Sequence, residues 1–178
     1  MVLADVARTR ADADQMLQKI ALIATNGFST KPAQRNTTVT EREVNSFLAF
    51  HAREELPTGL LEPVVKIAPA GRLTGSAIVD LDQVRKARPD AGLASLLTGR
   101  LPVQVAGVLR TSNGVGKFEL QEAWVSSIPV PKAVLQQIVS HYSRTPESPD
   151  GIDLDAPFAL PAAIREIRTG QAQAIVVQ

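Results

Sequence analysis

The sequence predicts an α+β fold: an antiparallel sheet of about six strands, contributed by three hairpins, packed on or wrapped around helices. Hairpin turn signals recur at Ala70-Gly71, Asn113-Gly114 and Thr169-Gly170, each flanked by runs in which apolar residues alternate with period 2. Helical periodicity of 3.6 residues occupies separate stretches, so the order reads helix, helix, hairpin, short helix, hairpin, helix, hairpin. Strands joined by tight turns rather than crossovers pair antiparallel, which disfavours a parallel nucleotide-binding sheet.

Asp5 to Thr25 reads as the first helix, with Val6, Met16, Leu17, Ile20 and Ile23 near one another on the wheel and Asn26-Gly27 as the stop. After the polar loop FSTKPAQRNT, the stretch TVTEREVNSFLAF (Thr38 to Phe50) carries a T-x-x-E capping box. The Thr40 hydroxyl is placed to accept from the Glu43 amide, and the Glu43 carboxylate from the Thr40 amide, while Val39 and Val44 occupy the two staple positions. The second helix therefore has a defined start, and Val44, Phe47, Leu48 and His51 follow at i, i+3, i+4 and i+7 on one face.

LEPVVKIAP and RLTGSAIVDLD form the first hairpin, with Gly75 expected to mark a bulge. DQVRKARPDAGLASLLTGR, interrupted at Arg88-Pro89, gives one or two short helical turns whose apolar edge is Leu93, Leu96 and Leu97. LPVQVAGVLRTS and KFELQEAWVSSI around Asn113-Gly114 are the longest strands, joined where both central residues accept positive φ. Pro129 and Pro131 end that strand and open a helix whose broad apolar face is Val134, Leu135, Ile138, Val139 and Tyr142. The loop DGIDLDAPF leads to the closing hairpin AIREIRTGQAQAIVVQ. Length favours one domain over residues 1–178, comprising an N-terminal helix with its connection (1–30) and an α+β core (38–178).

A chain of this length is expected to bury about 70% of its unfolded surface. Nineteen basic and 18 acidic side chains give a net charge of +1 without blocks, which argues against a nucleic-acid partner. Aromatic residues are one Trp, one Tyr and five Phe, so the core is expected to be aliphatic. The absence of cysteine removes disulfides, thiol catalysis and zinc thiolate sites. The stretch MVLADVARTRADADQ has no charged region followed by an apolar one, and no run approaches the length of a membrane span. A chain whose export signal had been removed would read the same, so the expected compartment is the periplasm or cell envelope in that case and the cytoplasm otherwise.

Catalytic signatures are sparse. His51 and His141 both fall at helix C-termini, where the helix dipole stabilises an imidazolium, so a structural role is expected for each. LTGSAIV lacks the second glycine of a nucleophile elbow and lies in a strand. NGVGKF sits in a hairpin, not between strand and helix, so it is not a dinucleotide site. Asp80 with Asp82, and Asp150, Asp153 and Asp155, do not match the calcium-loop spacing, so neither metal nor cofactor is expected. A cystatin-like enzyme acting through Asp80 or His51 is the catalytic alternative to the non-enzymatic reading. Apolar residues on both alternations of some strands (VVKI, AIVV) suggest instead that more than one side of the sheet needs covering.

TVTEREVNSFLAF, then GRLTGSAIVDLD, then GRLPVQVAGVL and GVGKFELQEAWVSSIPVP, and finally FALPAAIREIRTGQAQAIVVQ resemble the bacterial tubular lipid-binding (TULIP-like) proteins, including YceB-type lipoproteins and LmeA-type phospholipid-binding proteins. Thr40, Glu43, Val44, Asn45, Phe47 and Leu48 match the family's helix start, and Leu160, Pro161 and Ile164 its closing LP-x-x-I hairpin. The resemblance covers residues 38–178 in element order. It implies a strongly curved sheet around a long helix, a groove for acyl chains, a cell-envelope location and no catalysis. The expected partner is a lipid or other hydrophobic small molecule, with a membrane surface as a further candidate. The candidate ligand-binding residues are Phe47, Leu48, Leu96, Leu135, Ile138, Val139, Tyr142 and Phe158. The alternative is a protein-interaction or scaffold module of the cell envelope that uses the same helices.

Overall fold

The hairpins divide between two antiparallel sheets in the computed structural model, which describes residues 7–87, 98–144, 146 and 148–178. Strands β2 (Leu60–Ile67), β3 (Arg72–Asp80), β4 (Arg100–Ser112), β5 (Val115–Val125) and β6 (Ile128–Pro129) lie side by side in chain order, and the short β7 (Phe158–Ala159) pairs with the start of β5. The last hairpin, β8 (Glu166–Gly170) and β9 (Gln173–Val177), pairs instead with β1 (Asn36–Thr40) in the order β1-β9-β8. The helices are α1 (Arg10–Gly27), α2 (Glu41–Phe50), α3 (Leu81–Ala87) and α4 (Lys132–Tyr142). The class is α+β, and the larger sheet is an open ribbon.

Two of the three expected turns stand where the sequence put them. Asn113 and Gly114 both have positive φ, as their two-residue hairpin loop requires, and Ala70 and Gly71 have positive φ in a three-residue loop, Pro69 to Gly71. The third does not: Thr169 and Gly170 are paired in β8, and the chain turns at Gln171-Ala172, with Ala172 at φ 54°. Gly75 sits in regular pairing between Val65 and Val105, so it marks no bulge. The irregularities fall between Leu61 and Val64, and between Ala106 and Gly107, where an extra residue bends each strand and adds twist. The first helix begins at Arg10, five residues later than expected, because the Thr9 hydroxyl accepts from the Asp12 amide at 3.1 Å and caps it.

The capping box at α2 forms as the sequence requires. Thr40 Oγ1 accepts from the Glu43 amide at 3.2 Å, and Glu43 Oε2 accepts from the Thr40 amide at 2.8 Å. Val44 packs against buried Val39, completing the staple. Lys19 of α1 reaches the same carboxylate, with Nζ 2.6 and 2.8 Å from its two oxygens. Burial raises the Glu43 carboxyl, but the hydrogen bonds from Lys19 and Thr40 outweigh it and hold the group below the ordinary glutamate range.

Helix α2 then lies along the free edge of β2 and satisfies it. The Ile67 N–H donates to Glu41 Oε2 at 2.8 Å, and Asn45 closes a pair with Val65, accepting from its N–H at 2.7 Å and donating to its carbonyl at 2.8 Å. The spacing is geometric: four helical residues rise about 6 Å and two strand residues about 6.6 Å, so Glu41 and Asn45 keep step with Ile67 and Val65. Two residues further along the strand, Pro63 has no N–H to leave unpaired. Asn45 is accordingly 1% exposed.

Two buried apolar clusters form at one end, while Ala52, Leu81 and Ala123 are buried outside them. Ile23, Ile164 and Val176 form one cluster, and Val39, Ile67 and Ala174 the other, with Met16, Val44, Val65 and Leu73 packed on the second. Gln178 locks this end, donating to the carbonyls of Ile23 and Ala162 at 2.8 and 2.6 Å. The far part of the larger sheet contributes to neither buried cluster.

Replacing Asn45 by Ala leaves the Val65 amide and carbonyl without partners and should cost about 1–3 kcal/mol in urea denaturation. Because the Glu43 pKa is depressed in the fold, its contribution is present above the unfolded-state pKa and is lost as pH falls through the lower folded-state value. Glu43→Gln should therefore lower stability at pH 7 and flatten its decline on acidification, measured by thermal unfolding between pH 7 and pH 3.

Candidate functional site

Pairing register sorts the side chains of the larger sheet onto two unlike faces, since directly opposed residues share a face. One face carries the rows Leu60–Val79–Leu101, Ala77–Val103–Val125, Val65–Gly75–Val105–Ala123, Ile67–Leu73–Gly107–Leu120 and Leu109–Phe118. Five successive rows contain no polar side chain. The other face is mixed: it carries Leu61–Ile78–Pro102, Val64–Ser76–Gln104–Trp124, Lys66–Thr74–Ala106–Glu122, Arg72–Val108–Glu119 with Val108 buried, and Arg110–Lys117.

The apolar face is incompletely covered. Ile67 is buried at the hub end, but Ala77, Val79, Leu101, Val103, Val105 and Val125 are all half-buried. Helix α2 packs on β2 at one side of the sheet and α4 on β5 at the other. Those two strands are three spacings apart, about 14 Å. Two glycines leave room for aromatic rings: a Cβ on Gly107 would stand 2.6 Å from the Phe118 ring, and one on Gly116 2.7 Å from the Phe158 ring.

The described residues singled out from the sequence fall on α2, α4 and β7 and do not converge on a point. Phe47 and Leu48 are half-buried on α2, the Phe47 ring tilted against His51 with centroids 6.0 Å apart. Leu135 and Val139 are half-buried on α4, Ile138 is 45% exposed beside them, and Phe158 is 45% exposed at β7. Leu96 lies outside the described residues, as does the side chain of Tyr142. What sequence reasoning missed is the sheet lining itself, above all Val103 and Val105. Their alternation was legible, but which strands adjoin them, and that all the apolar rows share one side, is set by register.

A concavity of about 570 Å³ is lined by Val64, Ser76, Ile78, Gln104 and Trp124 of the mixed face, by Arg8, Glu62, Pro102 and Ser127, and also by Ala77 and Val103. None of the residues singled out from the sequence lines it. The titratable candidates have structural partners. His51 Nε2 lies 2.7 Å from Asp14 Oδ1 at the end of α2. Asp80 accepts from the Gln83 amide at 3.1 Å, capping α3, and from Arg100 Nε at 3.2 Å. The Gln83 amide first, and then Arg100, hold its carboxyl below the ordinary aspartate range against the opposing effect of burial. Asp155 pairs with Lys132, and its amide donates to Asp153 Oδ1 at 2.9 Å. Among the described residues, no group of three or more His, Asp or Glu is placed to hold a metal ion.

No family model matches the chain, and no curated protein matches it. Among solved structures, a crystal structure of lipopolysaccharide binding protein is similar at 15% identity with a TM-score of 0.24, covering 80% of this chain and 40% of that one. The chain thus spans less than half the length of that protein, and a likeness at this level carries no argument about fold or ligand.

The capping role of Asp80 distinguishes it from a catalytic acid. Asp80→Asn, which keeps a capping oxygen, should retain most of the thermal midpoint, whereas Asp80→Ala should lower it clearly, both read by circular dichroism melting.

Proposed function

We propose that this protein binds a lipid or similar apolar chain in a trough between α2 and α4, without catalysis. The observation that carries the reading is the set of apolar rows on one face of the larger sheet, left half-buried by the protein's own helices. Water against such a surface is unfavourable at roughly 25 cal/mol per Å², so a guest chain that covers it is stabilised in proportion to the area it removes from water. A ten-carbon segment contributes on the order of 8 kcal/mol gross at 0.8 kcal/mol per CH₂, enough to offset much of the cost of association. The trough is open, since the sheet does not close, so the ligand would lie along it rather than inside a tube. The resemblance of residues 38–178 to TULIP-like proteins points the same way and adds a cell-envelope setting to the proposal.

A second reading is supported by a different surface. Val134 and Ile138, one turn apart on α4, are each 45% exposed, and Phe158 is equally so. That stripe suits a partner protein, as a scaffold module would require.

Gly75 separates the two readings. It lies at the middle of the apolar face with ordinary backbone angles, and a Cβ there would meet Val105 at 3.4 Å, an ordinary contact. Gly75→Val should fold with equal or greater stability, since a β-branched residue suits a strand, while filling the trough. Saturable binding of a fluorescent fatty acid is expected for the wild type, rising up to about fourfold in affinity per added CH₂, and falling at least several-fold in Gly75→Val. Absence of lipid in organic extracts of the protein purified from cells, together with no saturable probe binding, would refute the proposal. Probe binding abolished by Ile138→Asp but untouched by Gly75→Val would move the site to the α4 stripe.

A further inference from the structure

We draw no further inference here: the strongest candidate, the apolar face of α4 that leaves Val134 and Ile138 exposed, carries nothing because nothing in the structure shows what covers it.

Discussion

The unpaired edge of β2 is the constraint on which the remaining structure depends. An exposed strand edge offers amides and carbonyls to any passing strand, and proteins cover it with a helix, a charge or a proline. Here all three appear within a few residues: Glu41 and Asn45 from α2 take up the free groups of Ile67 and Val65, and Pro63 has no donor. This works only if α2 begins at a fixed residue, because a shift of one residue would rotate Asn45 by about 100° away from the strand. The Thr40–Glu43 capping box supplies that fixed start, and Lys19 ties it to α1. Local chemistry at one turn of helix therefore sets the register between the helices and the larger sheet.

The consequence is an asymmetric molecule. The side chains that seal the β2 edge, the staple and the smaller sheet all lie at one end, and the two buried clusters form there. The tips of both long hairpins dock on that hub: Gly71 donates to Thr169 Oγ1 at 2.7 Å, and Thr111 Oγ1 exchanges hydrogen bonds with the Ile167 backbone at 3.1 and 2.8 Å. Anchored at the tips, β3, β4 and β5 extend away with one wholly apolar face. Helix α4 is held at its polar side, where Gln136 accepts from the Leu154 amide at 2.7 Å and donates to the Ile152 carbonyl at 2.9 Å. Its apolar face is left only partly engaged, with Val134 and Ile138 exposed. The two buried clusters and the half-buried apolar rows are thus separated in space.

Much of the fold was legible because its strongest signals are local. The Thr40 cap, the Val39–Val44 staple, and the Ala70-Gly71 and Asn113-Gly114 turns are each specified within a few residues, and each formed where expected. Strand β1 is not legible from its own five residues, which show no local period and whose pairing partner lies over 130 positions away in β9. The turn of the last hairpin was displaced because Gly170 is a good turn residue that the pairing with Gln173 places inside a strand. The apolar flanks of the candidate site, Phe47, Leu48, Leu135, Ile138 and Val139, followed from helical periodicity, but its floor did not, since alternation along a strand does not say which strands adjoin.

The sequence by itself determined the α+β class, the antiparallel pairing, the start of α2 and the scarcity of catalytic groups, all of which rest on interactions between residues close in the chain. Only the tertiary structure decided that the hairpins divide between two sheets and that five apolar rows align on one face. These are outcomes of long-range register, and a strand carries the same residues in the same order whichever neighbour it pairs with.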